Sequence, residues 1–305
     1  MSKALSQIPQ FPNFSPFSLD LQNELTQYVS RFPCYSDFNF TVLLWANIYD
    51  DVELSYLNDN LVVLFKSYIV DHPVYSFLGV NNVDETVATL VERSREAGYC
   101  DFLKHVPEIS LTNFKNVENY KIQEDLDCFD YVYSVENHAN LTGVKFENKR
   151  TCVNRFLRDF PNFFLKINNC PNNQDIEELL ELAARWGENS FEKHEVCLCL
   201  EKLLAHHHRF PLEIASLYSE NMKMVGFRIC EPVGSHIISH FCHCDPIFKD
   251  AAAFLTKQHS VHLLHNGYEY INWMQDLGLP KLRQAKHLWR PSYFLKKYIV
   301  RANFH

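Results

Sequence analysis

An α+β fold in two domains, each a mostly antiparallel sheet flanked by helices, is what this chain predicts, and three observations carry the prediction. Its 305 residues exceed one typical domain and suffice for two modest cores. Helix-period and strand-period stretches occur in both halves. Three period-2 runs at residues 212–218, 224–230 and 236–242, divided by Asn221 and by Pro232, Val233 and Gly234, read as an antiparallel meander.

Residues 17–32 read as the first helix, with Leu19, Leu21, Leu25 and Val29 at near-helical spacing and Ser18 placed to cap them. Residues 40–48 and 61–65 are apolar and β-branched, and the turn residues Asn58, Asp59 and Asn60 between them suggest hairpin strands. Residues 84–97 carry Val87, Leu90 and Val91 on one face and end at Gly98, the pattern of an amphipathic helix. Further strands follow by about residue 118. The polar, acidic stretch 118–130 marks the junction, giving domains at 1–124 and 125–305. The second domain opens on a strand around Tyr131. Helices are expected at 148–160, 175–186 and 192–207, then the meander, a helix at 250–257 and a strand at 268–273.

With 47% hydrophobic and 22% charged residues, the composition is that of a globular protein and excludes disorder. Ten cysteines would allow five disulfides, yet pairs such as Cys197/Cys199 and Cys242/Cys244 cannot bridge within a strand. Free thiols and a reducing, cytoplasmic setting are expected. Residues 1–17 hold one lysine and no apolar run, so no leader is expected there. No run of about 18 apolar residues occurs, so no transmembrane segment is expected either. Only eight glycines leave little room for phosphate loops. Walker, Rossmann and Gly-x-Ser-x-Gly patterns are absent.

Two basic clusters stand out in a chain of formal net charge −8. Lys281, Arg283, Lys286, Arg290, Lys296, Lys297 and Arg301 run without an acidic residue and alternate with Trp289, Tyr293, Phe294 and Tyr298, a pattern suited to phosphates and stacked bases. A solvated helix face followed by a lysine-protected edge strand explains the same run. Lys145, Lys149, Arg150, Arg155 and Arg158 form the other cluster. His240, Cys242, His243 and Cys244 have ligand chemistry, and Cys197, Cys199 and His206 to His208 are candidate second halves. Neighbouring strand side chains alternate faces and no zinc spacing is present, so no metal site is assigned.

The run Asp130-Tyr131-Val132-Tyr133-Ser134-Val135-Glu136 is followed by Leu141-Thr142-Gly143, Lys145-Phe146, Lys149-Arg150 and Asn154-Arg155-Phe156. Far downstream come Asn272, Asp276, Gly278, Leu282, Arg283 and Lys286. Together these segments resemble the DUF2156 family, related to the C-terminal domain of phosphatidylglycerol lysyltransferase. The resemblance implies two tandem acetyltransferase-like (GNAT) domains and transfer of an aminoacyl group from a charged tRNA to an amine or hydroxyl. The acceptor would be a lipid, a peptide or a small molecule, and no cofactor is required beyond the donor. It assigns proton acceptance to Glu136 or Asp276, donor phosphate contacts to Lys149, Arg150, Arg283 and Lys286, and positioning to Tyr133 and Asn154. Glu136, Arg150, Asp276 and Arg283 would then share one cleft.

Structural roles compete: Glu136 and Asp276 are also suited to helix caps, and Arg150 to a surface helix. The chain departs from the family pattern at Met274, where relatives carry Glu, and at Cys242-His243-Cys244-Asp245. Two other functions follow from those departures and from the fold: an acyl-CoA-dependent N-acyltransferase, although the usual pyrophosphate loop is missing, and a non-catalytic binding module with a degenerate site.

Overall fold

The computed structural model describes residues 5–66, 72–187 and 191–303, side chains of 186, 187 and 191–193 excepted. Residues 1–4 of the stretch read as leaderless lie outside these. The chain forms two compact units that are discontinuous in sequence. The first runs to Asp130 and also takes Gln275–Pro280 and the segment from Phe294 onward; the second comprises Tyr131–Met274 and Lys281–Tyr293. This differs from the single boundary expected between residues 124 and 125, because β-pairing by the last segment cannot be read from local composition.

In the first unit, strands β1 (Ser15–Pro16), β2 (Glu53–Leu57), β3 (Asn60–Phe65) and β4 (Val74–Leu78) form an antiparallel sheet in that order. Asn58 and Asp59 both have left-handed backbones (φ 53° and 59°), the geometry of a two-residue hairpin turn whose twist matches its strands. Ser18 accepts from Asp20 N (3.3 Å) and opens the turn leading into α1 (Gln22–Val29), as its position predicts. Residues 40–48 do not form the expected strand. They form α2 (Phe40–Ala46), whose first turn is closed by Asn39 Oδ1 accepting from Val42 N at 2.9 Å. Phe40 to Leu44 are all buried, and a run apolar on every side has no period to separate strand from helix. The β2–β3 hairpin therefore draws its first strand from residues to which the sequence pattern assigns no element.

α3 (Val83–Glu96) packs Val87, Leu90 and Val91 against Val62, Leu64 and Phe77 and against a second sheet. There β14 (Lys297–Ala302) lies between β5 (Phe102–Pro107) and β6 (Tyr120–Glu124), antiparallel to both. The lysine-bearing C-terminal strand is thus a central strand and not a protected edge. Lys297 is fully buried, its ammonium between the carboxylates of Asp37 and Asp130, the latter at 2.7 Å. Ser36 donates to Asp130 through both N (2.7 Å) and Oγ (2.6 Å), and Gln275 Nε2 donates to Asp37. Burial disfavours the Lys297 charge, but Asp130 and Asp37 outweigh it and hold the ammonium charged to higher pH than usual.

The second unit carries a seven-stranded sheet among the described residues. Its order is β13 (Tyr293–Leu295), β7 (Asp130–Ser134), β12 (Tyr270–Asn272), β11 (His236–Cys244), β10 (Met224–Val233), β9 (Glu213–Tyr218) and β8 (Phe164–Asn168). The expected meander is β9–β10–β11, with a bulge at Ile229/Cys230. Pairing is antiparallel from β8 to β11 and between β7 and β12, and parallel between β11 and β12. β12 meets β11 only at His236–Ile238, so beyond that point, at Ser239–Cys244, β11 has β10 alone as a ladder neighbour among the described residues. Helices α4 (Val135–Asn140), α5 (Glu147–Asp159), α6 (Asn173–Gly187), α7 (Phe191–Ala205) and α8 (Ala251–His265) complete the unit, with α9 (Pro280–His287) entering at Lys281. α8 outruns its expected end at 257 because polar His259 and Ser260 are buried there, with His259 Nε2 donating to Glu213 Oε1 at 2.7 Å.

The buried charges of the first unit can be tested by mutation. Lys297→Met strands two buried carboxylates without a counter-charge, and urea denaturation is expected to show a loss of about 3–5 kcal/mol. His105 is buried with a left-handed backbone (φ 56°) in β5, and burial first, then Lys104 and Lys297, lower its pKa to about 3. Below its ordinary pKa of about 6.5 the unfolded chain binds a proton that the folded state refuses, so stability falls as pH drops from there toward 3. In His105→Asn, a residue that tolerates the same backbone, that fall in Tm is shallower.

Candidate active site

Pairing of β7 with β12, Val132 opposite Asn272, sets the two motif-bearing segments side by side. Tyr131 N donates to Met274 O (3.1 Å) and Trp273 N to Tyr131 O (2.9 Å), extending the contact past the end of β12. α9 then locks over it. Tyr133 Oη donates to Lys286 O (3.0 Å), and Lys286 Nζ donates to Trp273 O (2.7 Å) and Met274 O (3.1 Å). His138 Nε2 lies 3.0 Å from Trp289 O, and because a carbonyl can only accept, that nitrogen carries the proton. Burial drives the His138 pKa down to about 3, so the ring is neutral.

The result is a nest of rings. Tyr133 lies 4.4 Å from Trp273 and 4.9 Å from His138, and His138 lies 4.9 Å from Trp289, centroid to centroid. Lys149, on α5, places Nζ 4.4 Å from the Trp289 ring centroid, a cation–π contact. Burial lowers its pKa, against the pull of Cys152 and Asp250. Beside it runs a surface groove of about 760 Å³ whose lining includes Lys145, Asn148, Lys149, Thr151, Cys152 and Arg290. Three cations against one carboxylate, Glu147, leave the groove net positive, which suits a phosphate-bearing ligand.

Among the residues singled out from sequence, Lys149 lines this groove. Asn154 is exposed further along α5, and Arg283 is half-buried on α9. Glu136 is exposed on the first turn of α4, a helix capped by Ser134 Oγ accepting from Asn137 N (3.2 Å), and does not line the groove. Tyr133 and Lys286 are buried, with their polar ends turned to main-chain carbonyls. Arg150 Nη1 donates to Leu141 O (2.5 Å) and Gly143 O (2.7 Å), bracing a loop with left-handed residues at both positions. Asp276 belongs to the first unit, buried, with Oδ1 accepting from Gly278 N at 2.9 Å. Gly278 has φ 71°, and a Cβ there would come within 2.9 Å of Asp127 Oδ2, so the Asp276 turn needs glycine. The two segments do meet in the second unit, but through Tyr133, Lys286, Trp273 and Trp289 rather than through Glu136 and Asp276.

Sequence reasoning passed over His138, Trp273 and Cys152. Trp289 carried a signal as an aromatic within the basic run, but the burial of His138 depends on long-range packing. It also passed over His105, Asp125 and Cys128 in the first unit, buried residues whose ligand-type atoms lie within 4.8 Å of one another. Lys104 Nζ, 3.7 Å from Asp125 Oδ2, supplies positive charge there. The His240–Cys244 run lies on β11, with Cys242 exposed and His243 buried. All ten cysteines are free thiols.

A family model described as phosphatidylglycerol lysyltransferase, C-terminal, matches residues 33–301. A conserved protein of unknown function from Bacteroides thetaiotaomicron superposes with a TM-score of 0.82 at 22% identity, covering 95% of this chain and 99% of that one. A C-terminal domain (DUF2156) assigned to a lysylphosphatidylglycerol synthetase of Agrobacterium fabrum gives 0.63 at 15% identity, over 93% and 92%. At these identities the likeness is one of fold, and the expected acetyltransferase-like architecture of mixed helices and antiparallel sheets is the one observed. An uncharacterised protein of Mycoplasmoides gallisepticum is 19% identical over 180 residues, 57% of this chain, and the match spans 56% of that relative's length. No helix among the described residues is long and apolar enough to cross a membrane. With the family model covering nearly all of both units, the chain belongs to the family of phosphatidylglycerol lysyltransferase C-terminal domains.

Proposed function

We propose that this chain is an acyltransferase that moves an aminoacyl group from an aminoacyl-tRNA to an amine or hydroxyl on a lipid, peptide or small molecule. The observation that carries the reading is the groove beside α5, where Lys145, Lys149 and Arg290 outnumber the one carboxylate, Glu147, and Lys149 Nζ rests against the Trp289 ring. Phosphates of a tRNA acceptor end pair with the cations. The acceptor nitrogen or oxygen attacks the ester carbonyl, the bond to the ribose oxygen breaks, and the proton of the attacking group passes to that leaving oxygen. No protein nucleophile is needed, only positioning and stabilisation of the oxyanion. Glu136 is the candidate to relay the proton, being exposed on α4. Arg283, Lys286, Tyr133 and Asn154 support the site through α9, β7 and α5, which carry them.

An acyl-CoA donor is the second reading, supported by the loss of β12 as a neighbour of β11 after Ile238, which opens the sheet centrally. Calorimetry separates the two: submillimolar binding of CoA without tRNA binding would rank acyl-CoA above aminoacyl-tRNA as the donor.

Incubation with labelled aminoacyl-tRNA pools is expected to release label for at least one amino acid in the presence of an acceptor, and no release across lipid, peptide and amine acceptors would refute the proposal. Lys145→Ala with Lys149→Ala is expected to weaken tRNA binding and to reduce the slope of log affinity against log salt by about 1 for each phosphate no longer neutralised. Arg150→Ala behaves differently. Its salt slope stays near that of the unaltered protein, while stability drops by about 1–2 kcal/mol as two carbonyls lose a charged donor.

A further inference from the structure

Arg228 stands on β10, 2% exposed. Its Nη2 donates to Thr256 Oγ1 on α8 (2.9 Å) and lies 3.6 Å from Cys242 Sγ. The guanidinium carbon sits 4.8 Å from the centroid of the Trp273 ring. Nε and Nη1 are buried, and no protein group among the described residues accepts from either. The same is true of the indole Nε1 of Trp273. The polar neighbours that face this cation are thiols, those of Cys242, Cys230 and Cys244, rather than carboxylates.

A guanidinium taken out of water without a counter-anion is among the least favourable arrangements a core can hold, and each buried donor left unmatched adds to the penalty. Two adjacent N–H groups of one guanidinium form a fork that fits two oxygens of one anion. The location suits an incoming group. Arg228 lies directly across from Cys242, which is exposed, within the Ser239–Cys244 stretch where β11 has no β12 beside it. The guanidinium therefore has a solvent-exposed residue as its cross-strand neighbour.

We propose that Arg228, with the indole N–H of Trp273, forms a binding site for a compact oxyanion, the carboxylate or phosphate group of a small ligand, in the second unit. The site stands on β10, β11, α8 and Trp273 and is independent of the aminoacyl-transfer reading.

Thermal unfolding in chloride buffer, with added acetate in one arm and inorganic phosphate in the other, tests this. A saturating rise in Tm of about 5 °C or more at a hundredfold excess over Kd is expected in one arm, and which arm responds identifies the anion. In Arg228→Met the anion-dependent rise disappears, while Tm without anion is equal to or above that of the unaltered protein because the uncompensated charge is gone. If that variant does not fold, Trp273→Phe keeps the ring and removes the N–H, and is expected to weaken the anion at least tenfold. Alkylation gives a second readout: bound anion slows iodoacetamide at Cys242, with exposed Cys170 as the internal control. The absence of a Tm response to either anion, or an equal response in Arg228→Met, overturns the proposal.

Discussion

Antiparallel pairing of β7 with β12 is the constraint on which the site of the second unit depends. It joins segments more than a hundred residues apart, and what lies above it is registered by side chains bonded to main-chain carbonyls. Met274 illustrates this. Its backbone is left-handed (φ 60°), and its carbonyl accepts from both Tyr131 N and Lys286 Nζ. Position 274 therefore does structural work through its peptide group whatever side chain it carries. The methionine side chain itself takes no part in that scaffold, which runs through the carbonyl.

Rings and cations are arranged in the second unit so that each limits the other's freedom. Lys149 is held against Trp289, Trp289 offers its carbonyl to His138, and His138 packs between Tyr133 and Trp273. Because His138 is buried and neutral, the nest does not gain charge at ordinary pH. The positive potential of the groove then comes from Lys145, Lys149 and Arg290.

Local pattern was legible in the sequence where a one-sided apolar stripe or clear turn residues marked an element. α3, with its apolar stripe, and the β9–β10–β11 meander, with clean turn residues, were both readable. It failed where neither stripe nor turn residue was present: Phe40 to Leu44 of α2 are all buried, and α8 hides His259 and Ser260 inside the core, where Glu213 accepts from His259 Nε2. Of the candidate site, Lys149 and the Trp289 neighbourhood were legible as a basic, aromatic pattern. Arg150 and Lys286 were legible as distinctive residues but not in their roles, since an arginine bracing two carbonyls and an arginine awaiting a phosphate look alike in a string of letters. Arg228 gave no signal, lying in an apolar strand whose partners come from β11, α8 and residue 273.

The place of β14 bears on how the protein is made. The strand between β5 and β6 comes from residues 297–302, and it brings the lysine that neutralises Asp37 and Asp130. On the ribosome, Asp37 and Asp130 emerge long before Lys297, so the first unit to be translated cannot close its core until the last strand has been released. The second unit waits as well, for Lys281–Tyr293. The usual order, in which domains fold as they emerge from the N-terminus, is therefore closed to this chain: neither unit is complete until residues 281–302 have been made.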